Sequence, residues 1–238
     1  ADQASKALHK KQTKQALSLI TQAIDLEPKE ALFHAIKGLI LDQQGKPDLA
    51  LKAHNRATEL YPLQFSYFLN RANTQLRLGN STAAQQDYQR SMKMLPTSTA
   101  ALQLGHLFQK SGKPSQAVSY YSQASSAQGK EGQDARLNLA LLEIHDKPEK
   151  YLRIKHQQDP KGPLLVTVEN ISPLEIKKLT LVSQLFNSQR SLIKEMSWQI
   201  TEPLKAGQRS RYFPVPVSYH LKQNEYVQTK VRTVLVNH

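Results

Sequence analysis

The feature of this sequence that most constrains its fold is a repeat with a period of about 34 residues. Residues 64–96 align with residues 30–62 so that small residues and prolines coincide. The coinciding pairs are Gly38 and Ala72, Gly45 and Gly79, Ala50 and Ala84, and Pro62 and Pro96. A period of this length is typical of stacked helical hairpins, because small side chains let two antiparallel helices approach closely. A single hairpin cannot bury its own apolar face, so the pattern predicts an array of hairpins.

The repeat extends in both directions from this central pair. We assign four hairpins, over residues 1–28, 30–62, 64–96 and 97–129, and a solitary helix over 132–144 that is expected to cover the last hairpin. The turns of the later hairpins contain Gly45, Gly79 and Gly112, each at a place where a helix ends. Glycine suits the left-handed conformation that follows a helix, and the prolines at 47 and 114 suit the first turn of the next helix. Asn80 or Ser81 is expected to cap the second helix of the third hairpin.

The recurring positions resemble the tetratricopeptide repeat. This family has small residues at the eighth, twentieth and twenty-seventh positions and proline at the thirty-second. Matching residues are Gly38, Ala50, Ala57, Pro62, Ala72, Ala84, Ser91, Pro96, Gly105, Ala117 and Ala124. The resemblance implies an α–α superhelix whose first helices line a concave groove for polypeptide.

On that resemblance, eight residues of the first helices are candidates for the peptide-binding groove. They are Leu39, Asp42, Asn70, Asn73, Arg77, Gln103, His106 and Lys110. Of these, Asn70, Asn73, Arg77 and Lys110 are suited to hold a peptide backbone or a carboxylate by hydrogen bonds. Leu69 and Leu102 stand where a carboxylate-binding repeat would place lysine. The alternative interpretation is that the eight are ordinary solvated residues.

After His145 the periodicity changes to the alternation of β-strands. Residues 146–150 form a linker ahead of a second domain over 151–238. Strands are predicted for Tyr151–His156, Leu164–Glu169, Ile176–Phe186, Leu192–Ile200, Arg209–Val217 and Tyr226–Val236. Short connections favour antiparallel pairing, and the strand spacing favours a small β-sandwich. Trp198 is expected in its core, and the prolines of Arg209–Val217 indicate an edge strand.

The segments Leu165–Ser172 and Leu179–Val182 resemble the FxLYD-type and immunoglobulin-like sandwich domains of bacteria. Repeats followed by an end helix, the junction Pro148–Tyr151 and a β domain resemble the C-terminal portion of bacterial cell-envelope zinc metallopeptidases. Their HExxH domain precedes the repeats. The resemblance implies a periplasmic or cell-envelope location, with the cytoplasm left open, and anchoring through a segment ahead of residue 1. Zinc is expected only if such a peptidase domain is attached.

Composition and motifs narrow the function classes. The net charge of +13 is scattered without a run of five basic residues, and aromatic residues make up 7%, which disfavours nucleic-acid binding. There are no cysteines, no apolar run long enough to span a membrane, and no HExxH or phosphate-binding motif. We therefore expect protein or peptide partners, no small-molecule substrate, no cofactor, and no catalysis by this chain alone. A free-standing envelope scaffold and a regulator that shields a partner's active site are the alternatives.

Overall fold

The structure is a computed structural model, and it describes residues 2–10, 12–158, 164–210, 213–214 and 226–236. Nine helices come first among these residues: α1 (Asp2–His9), α2 (Thr13–Leu26), α3 (Ala31–Gln43), α4 (Pro47–Leu60), α5 (Phe65–Arg77), α6 (Ser81–Met94), α7 (Ser98–Lys110), α8 (Pro114–Ser125) and α9 (Lys130–Glu143). Six strands follow: β1 (Leu152–Gln158), β2 (Leu164–Asn170), β3 (Ile176–Phe186), β4 (Leu192–Ile200), β5 (Phe213–Pro214) and β6 (Tyr226–Val236). A short 3-10 helix, Pro148–Lys150, precedes β1.

The helices α1 to α8 form four antiparallel hairpins in the order that the repeat predicts. Gly45, Gly79 and Gly112 have φ angles of +70°, +81° and +69°, so each adopts the left-handed conformation expected after a first helix. Pro47 and Pro114 occupy the first turns of α4 and α8. The expected side-chain cap on α6 is absent, since Asn80 occupies the N-cap position without accepting a cap hydrogen bond.

The second and fourth hairpins each pack a ring from the second helix against a glycine of the first helix, His54 against Gly38 and Tyr121 against Gly105. In the third hairpin the repeat has Ala72 and Tyr88 at the corresponding positions. All three rings are 0% exposed. A Cβ at Gly38 would lie 2.6 Å from Nδ1 and Nε2 of His54, and one at Gly105 would lie 2.5 Å from Cε1 of Tyr121. The small residues are therefore required by the close approach of the two helices.

A buried ion pair of the third hairpin is hydrogen-bonded to the second hairpin. The Arg71 guanidinium donates two hydrogen bonds of 2.7 Å to the Asp87 carboxylate, and its third nitrogen donates to Thr58 Oγ1 at 2.8 Å and Asn55 Oδ1 at 3.2 Å. Arg71 thereby contacts both α4 and α6 from its place on α5. The pattern of small residues gave no indication of this link.

The strands form two antiparallel three-stranded sheets, in the orders β1-β2-β5 and β4-β3-β6 among the described residues. Three predicted strands, β3, β4 and β6, have the bounds that the sequence analysis gave them. Within Arg209–Val217 the structure describes a strand only at Phe213–Pro214, which pairs with β2 at one end of its sheet. Residues 211–212 and 215–217 of that prediction lie outside the described residues.

The two sheets share one hydrophobic core. Val166 and Val168 of β2 belong to it together with Leu179, Leu181 and Ile200 from the other sheet. Met196 and Trp198 are partly buried against it, as expected of one face of β4. The assignment to a sandwich of the FxLYD or immunoglobulin-like type stays a prediction.

Helix α9 contributes to this same core through Ala140, while Ile144 follows it into the core. The chain accordingly divides into the compact units Ala1–Gly132 and Gln133–His238, which groups most of α9 with the strands. The sequence predicted this helix as the end of the repeats, because a 34-residue pattern carries no information on where a helix without a partner buries its apolar side. The linker at residues 146–150, between a repeat domain and a β domain, stays a prediction.

The end of α9 is fixed by a carboxylate. Glu143 accepts hydrogen bonds from Lys147 Nζ and Tyr151 Oη, both at 2.8 Å, and from Lys150 Nζ. Burial raises the pKa of Glu143, but these three donors outweigh it and lower the pKa to about 2. Glu143 therefore stays ionised and ties the helix end to the start of β1.

Candidate peptide-binding site

The eight predicted groove residues lie on α3, α5 and α7, the first helices of the last three hairpins. Within each helix they are three or four residues apart, which places them on one side of that helix. We call the surface formed by these sides, with the corresponding side of α1, the first-helix face. Leu39, Asn73, Arg77 and Lys110 are exposed on it. Asp42, Asn70, Gln103 and His106 are half-buried.

A depression of about 370 Å³ opens on the first-helix face between α1, α3 and α5. Its lining consists of Leu8, His9, Leu39, Asp42, Gln43 and Arg77. The structure thus brings three of the predicted residues together. The other five, Asn70, Asn73, Gln103, His106 and Lys110, are not part of this lining. Leu8 and His9 were missed, because the first repeat is the least regular and the sequence analysis took no groove position from it.

Asp42 is the most heavily engaged residue of the depression. Its carboxylate accepts from Thr74 Oγ1 at 2.6 Å and from an Arg77 nitrogen at 3.0 Å, and it lies 3.3 Å from Nε2 of the buried His54. Burial raises the pKa of Asp42, but the hydrogen bonds from His54 and Thr74 and the nearby positive charges lower it overall. Because the carboxylate is ionised, Nε2 of His54 must carry the proton of that hydrogen bond.

The consequence is that Asp42 positions Arg77 rather than facing a ligand by itself. The same Arg77 nitrogen also donates to the backbone carbonyl of Asp42 at 3.0 Å. About half of the Arg77 side chain (48%) remains exposed, so the guanidinium keeps donors for a ligand. A guanidinium held by one carboxylate loses less conformational entropy when it binds a second acceptor.

Asn73 and Gln109 are each held by a buried tyrosine. Tyr88 Oη donates to Asn73 Oδ1 at 2.5 Å, and Tyr121 Oη donates to Gln109 Oε1 at 2.5 Å. Burial raises the pKa of both phenols, that of Tyr121 to about 12, so both are protonated donors at neutral pH. Since the amide oxygens are occupied, the amide N–H groups of Asn73 and Gln109 are the donors available to a ligand.

The α7 part of the face carries the exposed Lys110 and the half-buried His106. The rings of His106 and Tyr121 meet edge to face with their centroids 5.5 Å apart. Lys110 is exposed and has no ion pair among the residues that the structure describes. Together the first helices present donors for carbonyl or carboxylate oxygens and, at Leu8 and Leu39, apolar contacts for a side chain.

His54, Thr74 and Gln109 shape the face and were not predicted as site residues. For His54 the sequence did contain a signal. The repeat aligns His54 with Tyr88, 34 residues later, and with Tyr121, another 33 residues later. A histidine in a position otherwise filled by buried tyrosine needs a buried polar partner. Thr74 and Gln109 carry no comparable mark in the sequence.

Within the described ranges there is no group of three or more side chains suited to hold a metal ion. None of the described helices has the length and apolar character needed to cross a membrane.

Comparison with known proteins agrees with this architecture. A family model described as "Tetratricopeptide repeat" matches residues 2–65 and 102–147. No curated protein matches the sequence significantly.

Several solved structures share the fold at low sequence identity. A crystal structure of MamA superposes with a TM-score of 0.53 at 17% identity, over 59% of this chain and 82% of MamA. PilF of Pseudomonas aeruginosa gives a TM-score of 0.56 at 19% identity, over 63% of this chain and 68% of pilF. YrrB, described as a TPR protein, gives 0.52 at 17% identity, over 59% and 73%. The helical hairpins of this chain therefore share the fold of these proteins, and the family model matches tetratricopeptide repeats within residues 2–65 and 102–147.

Proposed function

We propose that this chain is a non-catalytic interaction module whose first-helix face binds a polypeptide segment of a partner protein. The observation that carries the proposal is the depression beside Arg77. Asp42 fixes the guanidinium there, and the aliphatic side chains of Leu8 and Leu39 line the same space. A fixed cation next to an apolar pocket suits a peptide that offers an oxygen acceptor and a nearby aliphatic side chain.

The fold supports this proposal, since tetratricopeptide repeats are consistent with protein or peptide binding. The solved structure of YrrB is titled as that of a TPR protein with an unusual peptide-binding site. By analogy, we assign peptide binding to the repeats of this chain and not to its strands.

The donors of the face define the ligand further. Asn73 and Gln109 offer amide N–H groups, and Lys110 offers an ammonium group on the neighbouring helix. Leu69 and Leu102 stand where a carboxylate-binding repeat would place lysine. We therefore propose that the ligand is an internal peptide segment whose backbone carbonyls are bound, with a single carboxylate or carbonyl at Arg77.

The proposal for the cellular setting rests on the sequence resemblance alone. We propose that the module recruits or orients substrates for a zinc metallopeptidase domain placed before residue 1, in the periplasm or cell envelope of a bacterium. The alternative is a free-standing envelope scaffold. The sequence encoded upstream of Ala1 separates the two, because an HExxH domain there supports the peptidase and a signal peptide directly before Ala1 supports the scaffold.

Peptide binding is tested by selecting ligands for the whole chain from a phage-displayed library of random dodecapeptides. The affinity of the selected peptide is then measured by fluorescence polarisation. Arg77→Gln should weaken binding about 10-fold, as expected for the loss of one hydrogen bond to a charged group. The control is Lys93→Gln, which removes a positive charge from an exposed position on α6.

The control should change the affinity less than about 2-fold. An Arg77→Gln affinity equal to that of the unmodified chain would remove the first-helix face from the proposed function. Selection of no peptide at all would remove peptide binding altogether.

A further inference from the structure

A second depression lies away from the first-helix face, between α2, α3 and α4. It has a volume of about 470 Å³ and adjoins another of about 730 Å³, with Leu17, Thr21 and Lys46 lining both. On α3 the lining residues are His34, Lys37 and Leu41. At 100° per residue these three lie on the side of the helix well away from Leu39 and Asp42. We call the joint depression the basic groove.

The charge of the basic groove has one sign. Its basic lining residues are Lys14, Lys37, Lys46, Lys52 and Arg56, and no aspartate or glutamate lines either depression. Arg56 has a partner, Glu59, at 3.3 Å, and that pair is exposed. The four lysines have no ion pair among the described residues.

The arginines of the neighbouring helix α5 differ from these lysines. Arg71 and Arg77, on α5, are each paired with an aspartate. Lysines collected in a depression without counter-charges repel one another, and the low-dielectric walls strengthen their joint field. An anionic group that enters the groove relieves this repulsion.

The floor of the basic groove is aliphatic. Leu41 and Ala53 are buried beneath it, and Leu49 is 48% exposed at its wall, with Leu17 partly buried beside it. No phenylalanine, tyrosine or tryptophan lines the groove. The lack of stacking residues disfavours single-stranded nucleic acid, and an apolar floor inside a depression favours an inserted side chain over a lipid surface.

We propose that the basic groove docks an acidic polypeptide segment of a partner protein, whose carboxylates pair with Lys37, Lys46 and Lys52 while one aliphatic side chain contacts Leu17 and Leu49. This site is independent of the peptide bound at the first-helix face. It gives the array a second docking surface, selected by charge and by one apolar contact.

The test uses a synthetic 16-residue peptide with glutamates and leucines at helical spacing. Two companion peptides replace all leucines by serine or all glutamates by glutamine. Binding to the whole chain is measured by fluorescence polarisation at 50 mM and 300 mM NaCl. The parent peptide should bind best, more weakly at the higher salt because the attraction is screened.

Two matched variants locate the site. Lys46→Glu with Lys52→Glu should weaken binding at least about 10-fold, since attraction becomes repulsion. The control is Lys93→Glu with Lys113→Glu, which makes the same change of net charge at exposed sites. Lys113 occupies the N-cap position of α8 as Lys46 does in α4. The control should change binding less than about 3-fold.

Equal losses in the two double variants would overturn the proposal, because the peptide would then respond only to net charge. Equal binding by the leucine-free peptide would overturn the role of the apolar floor. A 20-nucleotide oligonucleotide and phosphatidylglycerol vesicles are measured in parallel. Tighter binding of either, with sensitivity to Lys46→Glu and Lys52→Glu, would assign the groove to that ligand instead.

Discussion

The second and fourth hairpins solve the same packing problem with different chemistry. Each buries a ring from its second helix over a glycine of its first helix, His54 over Gly38 and Tyr121 over Gly105. In the fourth hairpin the ring is a neutral phenol that donates to the neutral Gln109. In the second hairpin the ring is an imidazole that bonds to the carboxylate of Asp42.

The choice of a carboxylate or an amide as the partner of the buried ring decides whether the hydrogen bonds extend to the next hairpin. The Asp42 carboxylate has acceptor capacity beyond His54 and also binds Thr74 and Arg77 of the third hairpin. The Gln109 oxygen is paired with the tyrosine of its own hairpin. An ionised side chain at a repeat position can thus connect two hairpins, and here it also places the cation of the candidate site.

The largest loss of stability is expected at the buried pair between Arg71 and Asp87. Arg71→Met removes the cation of a bidentate pair and leaves Asp87, which is only 8% exposed, without its partner. We expect a loss of about 3 kcal/mol in the free energy of unfolding, measured by urea denaturation. Arg56→Met is the control, because its pair with Glu59 is exposed and should contribute less than about 0.5 kcal/mol. A loss of similar size in both variants would show that the contacts of Arg71 stabilise the fold no more than an exposed ion pair does.

The two ring-over-glycine contacts can be compared directly. Gly38→Ala places a Cβ 2.6 Å from two atoms of the His54 ring, whereas Gly105→Ala places one 2.5 and 2.6 Å from two atoms of Tyr121 and 3.1 Å from a third. We expect each to cost about 2 kcal/mol in the free energy of unfolding, with the larger loss at Gly38, whose neighbouring ring is hydrogen-bonded to the Asp42 carboxylate. The measurement is thermal unfolding by circular dichroism.

The control for these variants is Ala72→Gly in the third hairpin, where alanine stands at the position of Gly38 and is 0% exposed. It should cost about 1 kcal/mol through helix propensity, with a further small loss for the buried methyl group. Stabilisation by Gly38→Ala would contradict a close contact between the two helices.

The charge of Asp42 is tested by the pH dependence of stability. Its pKa is lower in the folded than in the unfolded chain, so its contribution is fully present above the unfolded value of about 3.9 and is lost as the pH falls through the folded value. At pH 7, Asp42→Asn should cost about 1.5 kcal/mol. The difference from the unmodified chain should shrink below about pH 4.

The matched change in the fourth hairpin is Gln109→Ala. Since no carboxylate is lost there, its effect on the free energy of unfolding should stay constant between pH 3 and 7. A difference for Asp42→Asn that is also constant over this range would rule out a charged Asp42 in the native network.

Much of the repeat architecture could be predicted, because its determinants are local. A glycine at a turn with positive φ and a small residue eight positions into a helix each mark a backbone requirement that no larger side chain meets. The strand bounds of β3, β4 and β6 were predicted for a similar reason, since alternation follows directly from strand geometry. The tetratricopeptide resemblance placed Leu39, Asp42 and Arg77 on one surface.

The fate of these residues within the site could not be predicted. Asp42 and Arg77 are 35 positions apart, and nothing in a repeat pattern states that two side chains on one face will pair with each other. Leu8 and His9 line the depression because α1 lies beside α3. The first repeat is too irregular to define which residues of α1 face the groove. Helix α9 joins the core of the strands because its apolar residues, Ala140 among them, are buried where no periodic partner exists.

The sequence by itself determined the period, the hairpins, the glycine turns and the side of each helix on which the candidate groove residues lie, since these depend on backbone geometry within one or two helical turns. The tertiary structure alone decided which of those residues already have hydrogen-bond partners, which cations lack counter-charges and where the last helix is buried. These are pairings between residues distant in the chain, and their energies depend on burial and on interatomic distances that exist only once the hairpins have packed.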